Sequence, residues 1–208
     1  MTEEALEELK LASEGIKEDG ELHHYLGKAY YENDKYDEAI TELLASISYY
    51  KPNQTKEKAD AYNALGLAYR KKNAFTEALS AFMESLALNS SAVDTNYNLG
   101  LLYYEKDMLD ECIASLKKAN KLDPNSADTH FMLGSAYYKK KSLDKAMNEF
   151  KQTMVLNPKD AEAHNYLGAV YYEQGALGKS ITEHKSAVQL DKNYPEAFNN
   201  LGIALYAK

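Results

Sequence analysis

A Leu-Gly pair recurs along the chain, and its spacing constrains the fold more than any other feature of the sequence. The glycines are residues 27, 66, 100, 134, 168 and 202, so successive pairs are 39, 34, 34, 34 and 34 residues apart. Three residues after the first five glycines stands a tyrosine, and Leu205 takes that place in the last pair. A constant period of this length is typical of repeat proteins, in which each unit packs on its neighbours.

Each unit is predicted to contain two helices, called here its first and second helix. In residues 127–157 apolar residues recur at helical spacing up to Tyr137, stop at Lys141 and restart at Leu143. Pro158 closes this unit, because proline cannot continue a helix. A small residue opens every second helix in register, and a larger residue follows four positions later. The small residues are Ala5, Ala39, Ala78, Cys112, Ala146 and Ser180, and the larger ones are Leu9, Leu43, Phe82, Leu116, Phe150 and His184.

The pattern Leu-Gly-x-x-Tyr, then Ala-x-x-x-Phe, then Pro, at a 34-residue period resembles the tetratricopeptide repeat over the whole chain. This resemblance implies an all-α fold, a right-handed superhelical solenoid of antiparallel helix pairs. The chain departs from the family at the position near each first-helix start where a tryptophan is usual. His23, Tyr62, Asn96, His130, His164 and Phe198 stand there instead.

The repeats divide the chain into a single solenoid, residues 1–208, with incomplete units at both ends. The predicted boundaries are a half repeat at 1–19, full repeats at 20–58, 59–92, 93–126, 127–160 and 161–194, and a half repeat at 195–208. A terminal first helix without its partner should leave Leu201 and Leu205 poorly covered. We therefore expect either a fragment of a longer protein or self-association through the C-terminal half repeat.

The single 39-residue spacing places five extra residues around 51–58. Thr55 followed by Lys56 is predicted to be the N-cap of an extra turn on the next first helix. Such a turn could contact a ligand, but insertions in solenoids are usually neutral, and we favour the neutral interpretation.

Composition excludes several classes of function. The net charge of −8 argues against nucleic acid as a partner, because phosphate binding requires a positive field. No apolar run is long enough to cross a membrane, and the acidic start, MTEEALEELK, is unlike a secretory signal. The single cysteine, Cys112, fits a reducing compartment and is expected to be a buried small residue. The sequence therefore predicts a cytoplasmic protein without membrane insertion.

We expect the histidines to form neither a metal site nor a catalytic site. His23, His130 and His164 share a column, but column mates on successive repeats lie about 10 Å apart, too far to share a zinc ion. No histidine has a carboxylate or thiol at ligand spacing, and no phosphate loop or nucleophile motif occurs. We expect no metal, no cofactor and no catalytic residues, and hence no enzymatic activity.

The remaining signal is the surface of each first helix that faces away from the packing columns. The resemblance places this surface on the concave wall of the superhelix. Its predicted partner-binding residues are His24, Lys28, Tyr31, Asn63, Leu67, Arg70, Tyr97, Leu101, Tyr104, Phe131, Ser135, Tyr138, Asn165, Tyr172 and Asn199. In the doubled tyrosines, such as Tyr137 and Tyr138, the first is expected to pack between helices and the second to be free for a ligand.

Two features of this wall predict the chemistry of the partner. Tyr97, Leu101, Tyr104, Phe131 and Tyr138 would form an aromatic patch, and rigid aromatic side chains are typical hot spots of protein interfaces. The acidic residues Glu21, Asp60, Asp94, Asp128, Glu162 and Glu196 recur along one rim, where they either stabilise helix starts or favour a partner carrying Lys or Arg. Some members of the family bind C-terminal carboxylates through lysines on this wall, and the acids here argue against that subtype.

The sequence thus predicts a non-enzymatic scaffold or adaptor that binds a peptide or helix of a partner protein, basic or aromatic in character, in its concave groove. Two alternatives stay open. The chain could be a self-assembly module that stacks through its uncapped ends, or the recruiting arm of a larger enzyme.

Overall fold

The computed structural model describes residues 3–16 and 18–208, and residues 1, 2 and 17 of the predicted first half repeat lie outside the described residues. Within the described part the chain forms twelve α-helices and no strand, which confirms the predicted all-α class. The helices are α1 (Glu3–Gly15), α2 (Gly20–Glu32), α3 (Tyr36–Tyr49), α4 (Thr55–Lys71), α5 (Phe75–Leu88), α6 (Val93–Glu105), α7 (Leu109–Leu122), α8 (Ala127–Lys139), α9 (Leu143–Leu156), α10 (Ala161–Glu173), α11 (Leu177–Leu190) and α12 (Pro195–Tyr206).

The helices fall into two compact units, residues 1–102 and 103–208, and α6 spans the boundary. In the first unit α1 packs on α2, α2 on α3, α3 on α4 and α4 on α5. In the second unit each helix from α7 to α11 packs on the next one. Both units are therefore built by sequential packing of neighbouring helices, as the 34-residue period predicts.

Three of the first helices are capped by a polar side chain of the residue directly before them. The Asp19 carboxylate accepts from Glu21 N at 2.8 Å, Ser126 Oγ from Thr129 N at 3.1 Å, and Asp160 Oδ1 from Ala163 N at 2.9 Å. These side chains satisfy amide groups that have no partner within the helix, and so fix where the helix starts.

The contact between the two helices of a pair is close because a glycine faces a large side chain. A Cβ atom built on Gly66 would lie 2.6 Å from the Phe82 ring, and one built on Gly134 would lie 2.7 Å from Phe150. The leucine before each of these glycines is buried, with Leu65 3% and Leu133 1% exposed. The Leu-Gly pair of the repeat is thus a core element, in which leucine fills space and glycine makes room for the partner helix.

The region of the 39-residue spacing lengthens α4 to 17 residues. The prediction that Thr55 caps this helix is wrong, because Thr55 is its first helical residue and Gln54 occupies the cap position without a side-chain cap bond. Instead Gln54 Oε1 accepts a hydrogen bond from Lys51 N at 3.0 Å, which orders the loop before the helix.

Candidate functional site

A cavity of about 650 Å³ opens between α2 and α4 in the first unit and is called here the α2–α4 cavity. Residues three or four positions apart on one helix share a face, so the exposed face of each of these helices supplies a row of side chains. The lining includes Glu21, His24, Tyr25, Lys28, Tyr31 and Glu32 from α2, Tyr50 and Gln54 from the loop region, Glu57, Asp60, Asn63, Ala64 and Leu67 from α4, and Asp94 from α6. Five sequence-predicted residues, His24, Lys28, Tyr31, Asn63 and Leu67, are among them.

The α2–α4 cavity is strongly acidic. Its lining carries five carboxylates and one ammonium group, that of Lys28. Burial within the cavity raises the pKa of Asp60, because a partly desolvated carboxylate is less stable in its charged form. Burial, and to a lesser extent the charge of Lys28, lower the pKa of His24 to about 4, so that this imidazole is neutral at pH 7.

Tyrosine rings form the apolar part of the same cavity. Tyr25 is 50% exposed, and its ring stacks on that of His24 with 6.1 Å between centroids. Tyr50 is 6% exposed, and its hydroxyl lies 3.3 Å from His24 Nδ1. Neither tyrosine is among the sequence-predicted residues, although Tyr25 directly precedes the Leu26-Gly27 pair and so occupies a recognisable column of the repeat.

A second cavity, of about 550 Å³, lies between α10 and α12 in the second unit and is called the α10–α12 cavity. Three predicted residues line it, Tyr138, Asn165 and Asn199. The others are Tyr166, Ala169, Tyr194, Pro195, Glu196 and Asn200. Its character is therefore aromatic and amide-rich, with a single carboxylate.

Asn165 organises the wall of the α10–α12 cavity. Its Nδ2 donates to the Tyr194 hydroxyl at 3.1 Å, and its Oδ1 accepts from Asn200 Nδ2 at 3.0 Å and from His184 Nδ1 at 2.9 Å. Burial lowers the pKa of His184 to about 4, so the ring is neutral at pH 7. Because the amide oxygen of Asn165 can only accept, the proton of the ring lies on Nδ1. Since Asn165 is 6% exposed and these bonds occupy both ends of its amide, it orders the wall and offers little surface to a ligand.

Two other predicted residues, Ser135 and Phe131, are buried or packed against neighbouring side chains. Ser135 is 3% exposed, and its hydroxyl donates to the Phe131 carbonyl at 3.0 Å, so it presents almost no surface. The Phe131 ring packs 5.7 Å from Phe150 and 5.4 Å from Tyr166. Phe131 is therefore partly a core residue of α8.

Tyr138 and Tyr104 are held by charged neighbours within the second unit. Burial and a hydrogen bond to Glu173 raise the pKa of Tyr138, and Lys141 Nζ lies 5.4 Å from its ring centroid. The Tyr104 ring has Lys139 Nζ at 5.0 Å. Both rings are half-buried, and these contacts hold them in place.

The other predicted residues lie outside the two cavities. Arg70, Tyr97 and Leu101 are half-buried in the first unit, and Tyr172 is 38% exposed in the second. The expected division of the doubled tyrosines is clear at Tyr171, which is 7% exposed, and its exposed neighbour. Elsewhere the second tyrosine of the pair is half-buried.

Three histidines pair with glutamates of the neighbouring helix, a contact that the sequence did not predict. Each Nδ1 meets a carboxylate 19 residues later, on the second helix of the same pair. The distances are 2.6 Å for His23 and Glu42, 2.7 Å for His130 and Glu149, and 2.7 Å for His164 and Glu183. The pairs join helices across a packing interface, and the described residues contain no group of three or more side chains able to hold a metal ion. Spacing along one helix does not reveal these pairs, because each of them joins two helices.

No helix in the ranges 3–16 and 18–208 combines the length and the apolar character that crossing a membrane requires.

Comparison with models of known protein families gives a match to a family of repeats. A family model described as TPR repeat matches residues 66–107, 108–141, 134–175 and 168–208. Comparison with curated protein sequences gives no match.

Three solved structures are similar to this chain. The structure of YrrB, described as a TPR protein with an unusual peptide-binding site, has a TM-score of 0.74 at 20% identity and covers 92% of this chain and 96% of its own. A chain of the APC/C hetero-tetramer Cut9–Hcn1 has a TM-score of 0.79 at 22% identity, covering 97% of this chain and 39% of its own. MamA has a TM-score of 0.72 at 21% identity and covers 80% of this chain and 95% of its own. At these identities the likeness establishes a solenoid of helix pairs and no particular partner.

Proposed function

The chain belongs to the TPR repeat family, and from that premise we propose that it is a non-enzymatic scaffold binding a segment of a partner protein on the exposed faces of its first helices. The fold itself is typical of protein–protein interaction modules. The observation that carries the finer proposal is the α2–α4 cavity, in which predicted contact residues from two helices surround one concave space. YrrB, whose fold is similar, is described as having a peptide-binding site, which agrees with this proposal.

The guest of the α2–α4 cavity carries lysine or arginine. Five carboxylates with one ammonium group give a negative field that attracts a cation and repels an acidic segment. The half-exposed Tyr25 ring supplies a face on which a cation can rest. A bound cation also compensates the burial of the Asp60 carboxylate.

The second unit contributes a different kind of contact. The rings of Tyr138 and Tyr166 lie 6.0 Å apart in the α10–α12 cavity, and the exposed Asn199 stands beside them. Tyrosine and asparagine at a concave surface bind apolar side chains and main-chain amides together. We assign this surface to an uncharged or aromatic part of the partner, and cytoplasmic residence is part of the same proposal.

Peptide binding tests the cationic guest directly. The probe is a fluorescein-labelled peptide with alternating lysine and glycine, compared with the same peptide bearing glutamate for lysine, and anisotropy reports binding. We expect the lysine peptide to bind and the double substitution Asp60→Asn with Asp94→Asn to weaken it by about tenfold, with a smaller effect as salt rises. Glu77→Gln, an exposed carboxylate on α5 outside the cavity, is the matched control and should leave the affinity unchanged.

Equal binding of the two peptides, or equal weakening by Glu77→Gln, would show that the α2–α4 cavity does not select a cation. Absence of binding by the lysine peptide at low salt would remove the proposal for this cavity.

A further inference from the structure

The packing slot over Gly202 is empty. In four earlier first helices, α2, α4, α8 and α10, a Cβ atom built on the equivalent glycine would collide with a side chain of the paired second helix. The distances are 2.6 Å from Gly27 to Leu43, 2.6 Å from Gly66 to Phe82, 2.7 Å from Gly134 to Phe150 and 2.7 Å from Gly168 to His184. At Gly202 no heavy atom lies within 4 Å of the same point.

Apolar side chains surround this slot. Phe198 is 49% and Leu205 is 51% exposed, and both stand in columns that face the second helix in the earlier repeats. The opposite side of α12 is packed, since Ala197 and Ala204 are fully buried. The exposed face of α12 therefore has the form of a first helix that lacks its second helix.

Helix α1 has the contacts of a second helix. Lys10 Nζ lies 5.7 Å from the ring centroid of Tyr30 on α2, and two equivalent pairs in the second unit have the same arrangement. These are Lys117 over Tyr137, at 5.9 Å, and Lys151 over Tyr171, at 6.0 Å. Leu6 is 1% exposed in a cluster with Leu26. Thus α1 packs on α2 as a second helix packs on the following first helix.

The side of α1 that would meet a first helix remains accessible. Leu9 is half-buried, whereas the equivalent Leu43 and Phe82 are fully buried. Ala12 is exposed, whereas the equivalent Ser46 is fully buried. The face that completes a repeat is therefore available on α1, and it is complementary in type to the face available on α12.

We infer that the occupant of the α12 face is α1 of a second copy of this chain, with Leu9 of that copy seated over Gly202. The contact continues the helix packing already present between α11 and α12 and between α1 and α2. It joins two different surfaces, so a pair keeps one free α1 face on one copy and one free α12 face on the other, and association proceeds head to tail.

One column of this junction is less favourable than in the complete repeats. Where His23, His130 and His164 pair with a glutamate, the junction opposes Phe198 to Glu8, the residue of α1 equivalent to Glu42. Phe198→His supplies the missing partner, and we expect it to tighten association by about fivefold.

Sedimentation velocity and light scattering from about 5 µM to about 500 µM test the contact. The wild-type mass should rise with concentration, and Gly202→Leu should stay monomeric, because the added side chain fits the isolated protein and fills the slot needed by Leu9. Gly178→Leu is the matched control, since Gly178 also has no atom within 4 Å of a Cβ but lies on α11 away from this face. It should associate as the wild type does, and circular dichroism should show equal helicity for all three.

Mixing variants tests the head-to-tail arrangement. Ala12→Arg blocks the α1 face and leaves the α12 face intact, while Gly202→Leu does the reverse. Each alone should be monomeric, and a 1:1 mixture should give a dimer and nothing larger. A wild-type protein that stays monomeric throughout, or a Gly202→Leu variant that associates like Gly178→Leu, would overturn the inference. Neither result bears on the lysine peptide, because the residues of this contact do not line the α2–α4 cavity.

Discussion

At the scale of single residues, one backbone conformation recurs in every turn between paired helices. The turn residue has a positive φ of 58° at Asp34, 58° at Asn73, 60° at Asp107, 58° at Lys141 and 73° at Gly175. Aspartate and asparagine tolerate this left-handed region better than most residues, and glycine enters it without steric cost. The side-chain pattern gives the place of the turn, but the conformation at Lys141 follows from how the two helices must meet.

The two glycines near this turn in the fifth full repeat should respond to alanine in opposite directions. Gly175→Ala should destabilise the protein by about 1 kcal/mol, because a Cβ is unfavourable at positive φ. Gly178→Ala, in helix α11 with no atom near its Cβ position, should stabilise it by about 0.5–1 kcal/mol. Urea unfolding followed by circular dichroism measures both, and a shift of the same sign for the two variants would refute the conformational explanation.

At the scale of helices, the recurring histidine and glutamate pairs add a polar connection to an apolar interface. In the pair formed by His130 and Glu149 the side chains are 11% and 23% exposed, and Nε2 of the histidine also lies 3.2 Å from the Pro124 carbonyl. A hydrogen bond sheltered in this way is stronger than a surface ion pair. It therefore helps to fix the angle at which α9 meets α8.

A double-mutant cycle measures this connection. His130→Ala and Glu149→Ala should each reduce the free energy of unfolding, and their coupling should be about 1 kcal/mol. The exposed pair Lys139 and Asp107, whose side chains are 44% and 70% exposed, serves as the comparison and should couple by less than about 0.5 kcal/mol. Similar coupling in the two cycles would mean that burial adds nothing to the histidine pair.

At the scale of the whole molecule, acid should act on two neutral imidazoles, the half-buried His24 in the first unit and the buried His184 in the second. The folded protein holds the pKa of His24 and of His184 at about 4, chiefly by burial, whereas an unfolded histidine titrates near 6.5. Between these values the unfolded chain binds more protons, so stability is complete above about pH 6.5 and falls as the pH approaches 4. Asp60 and Glu162, whose pKa is raised by burial, have the opposite effect in the carboxylate range.

The variant His184→Phe isolates one of these contributions, because Phe82 and Phe150 fill the equivalent place in other repeats. Between pH 7.5 and pH 5 the wild type should lose about 2 kcal/mol more of its unfolding free energy than the variant does. Denaturant unfolding at the two pH values measures the difference. Equal losses of unfolding free energy would indicate that His184 is already protonated in the folded protein at pH 5.

The sequence by itself was sufficient to predict the architecture. Strict columns such as Leu133-Gly134-x-x-Tyr137 repeat so regularly that each repeat predicts the packing of the next one, and local pattern and tertiary packing agree. Helical spacing also predicted which face of α2 and α4 stays open, because residues such as His24 and Lys28 share a face wherever the helix is placed.

Only the tertiary structure decided which of those residues are exposed and which side chains lie next to them. Tyr50 and Tyr194 reach the two cavities from helix ends and loops, whose path depends on how successive pairs stack. Ser135 lies on the predicted face and is nevertheless buried, because exposure depends on the neighbouring helices and not on the periodicity of its own. The hydrogen bond between His130 and Glu149 depends likewise on the distance between two helices, which cannot be inferred from the spacing of residues along either helix.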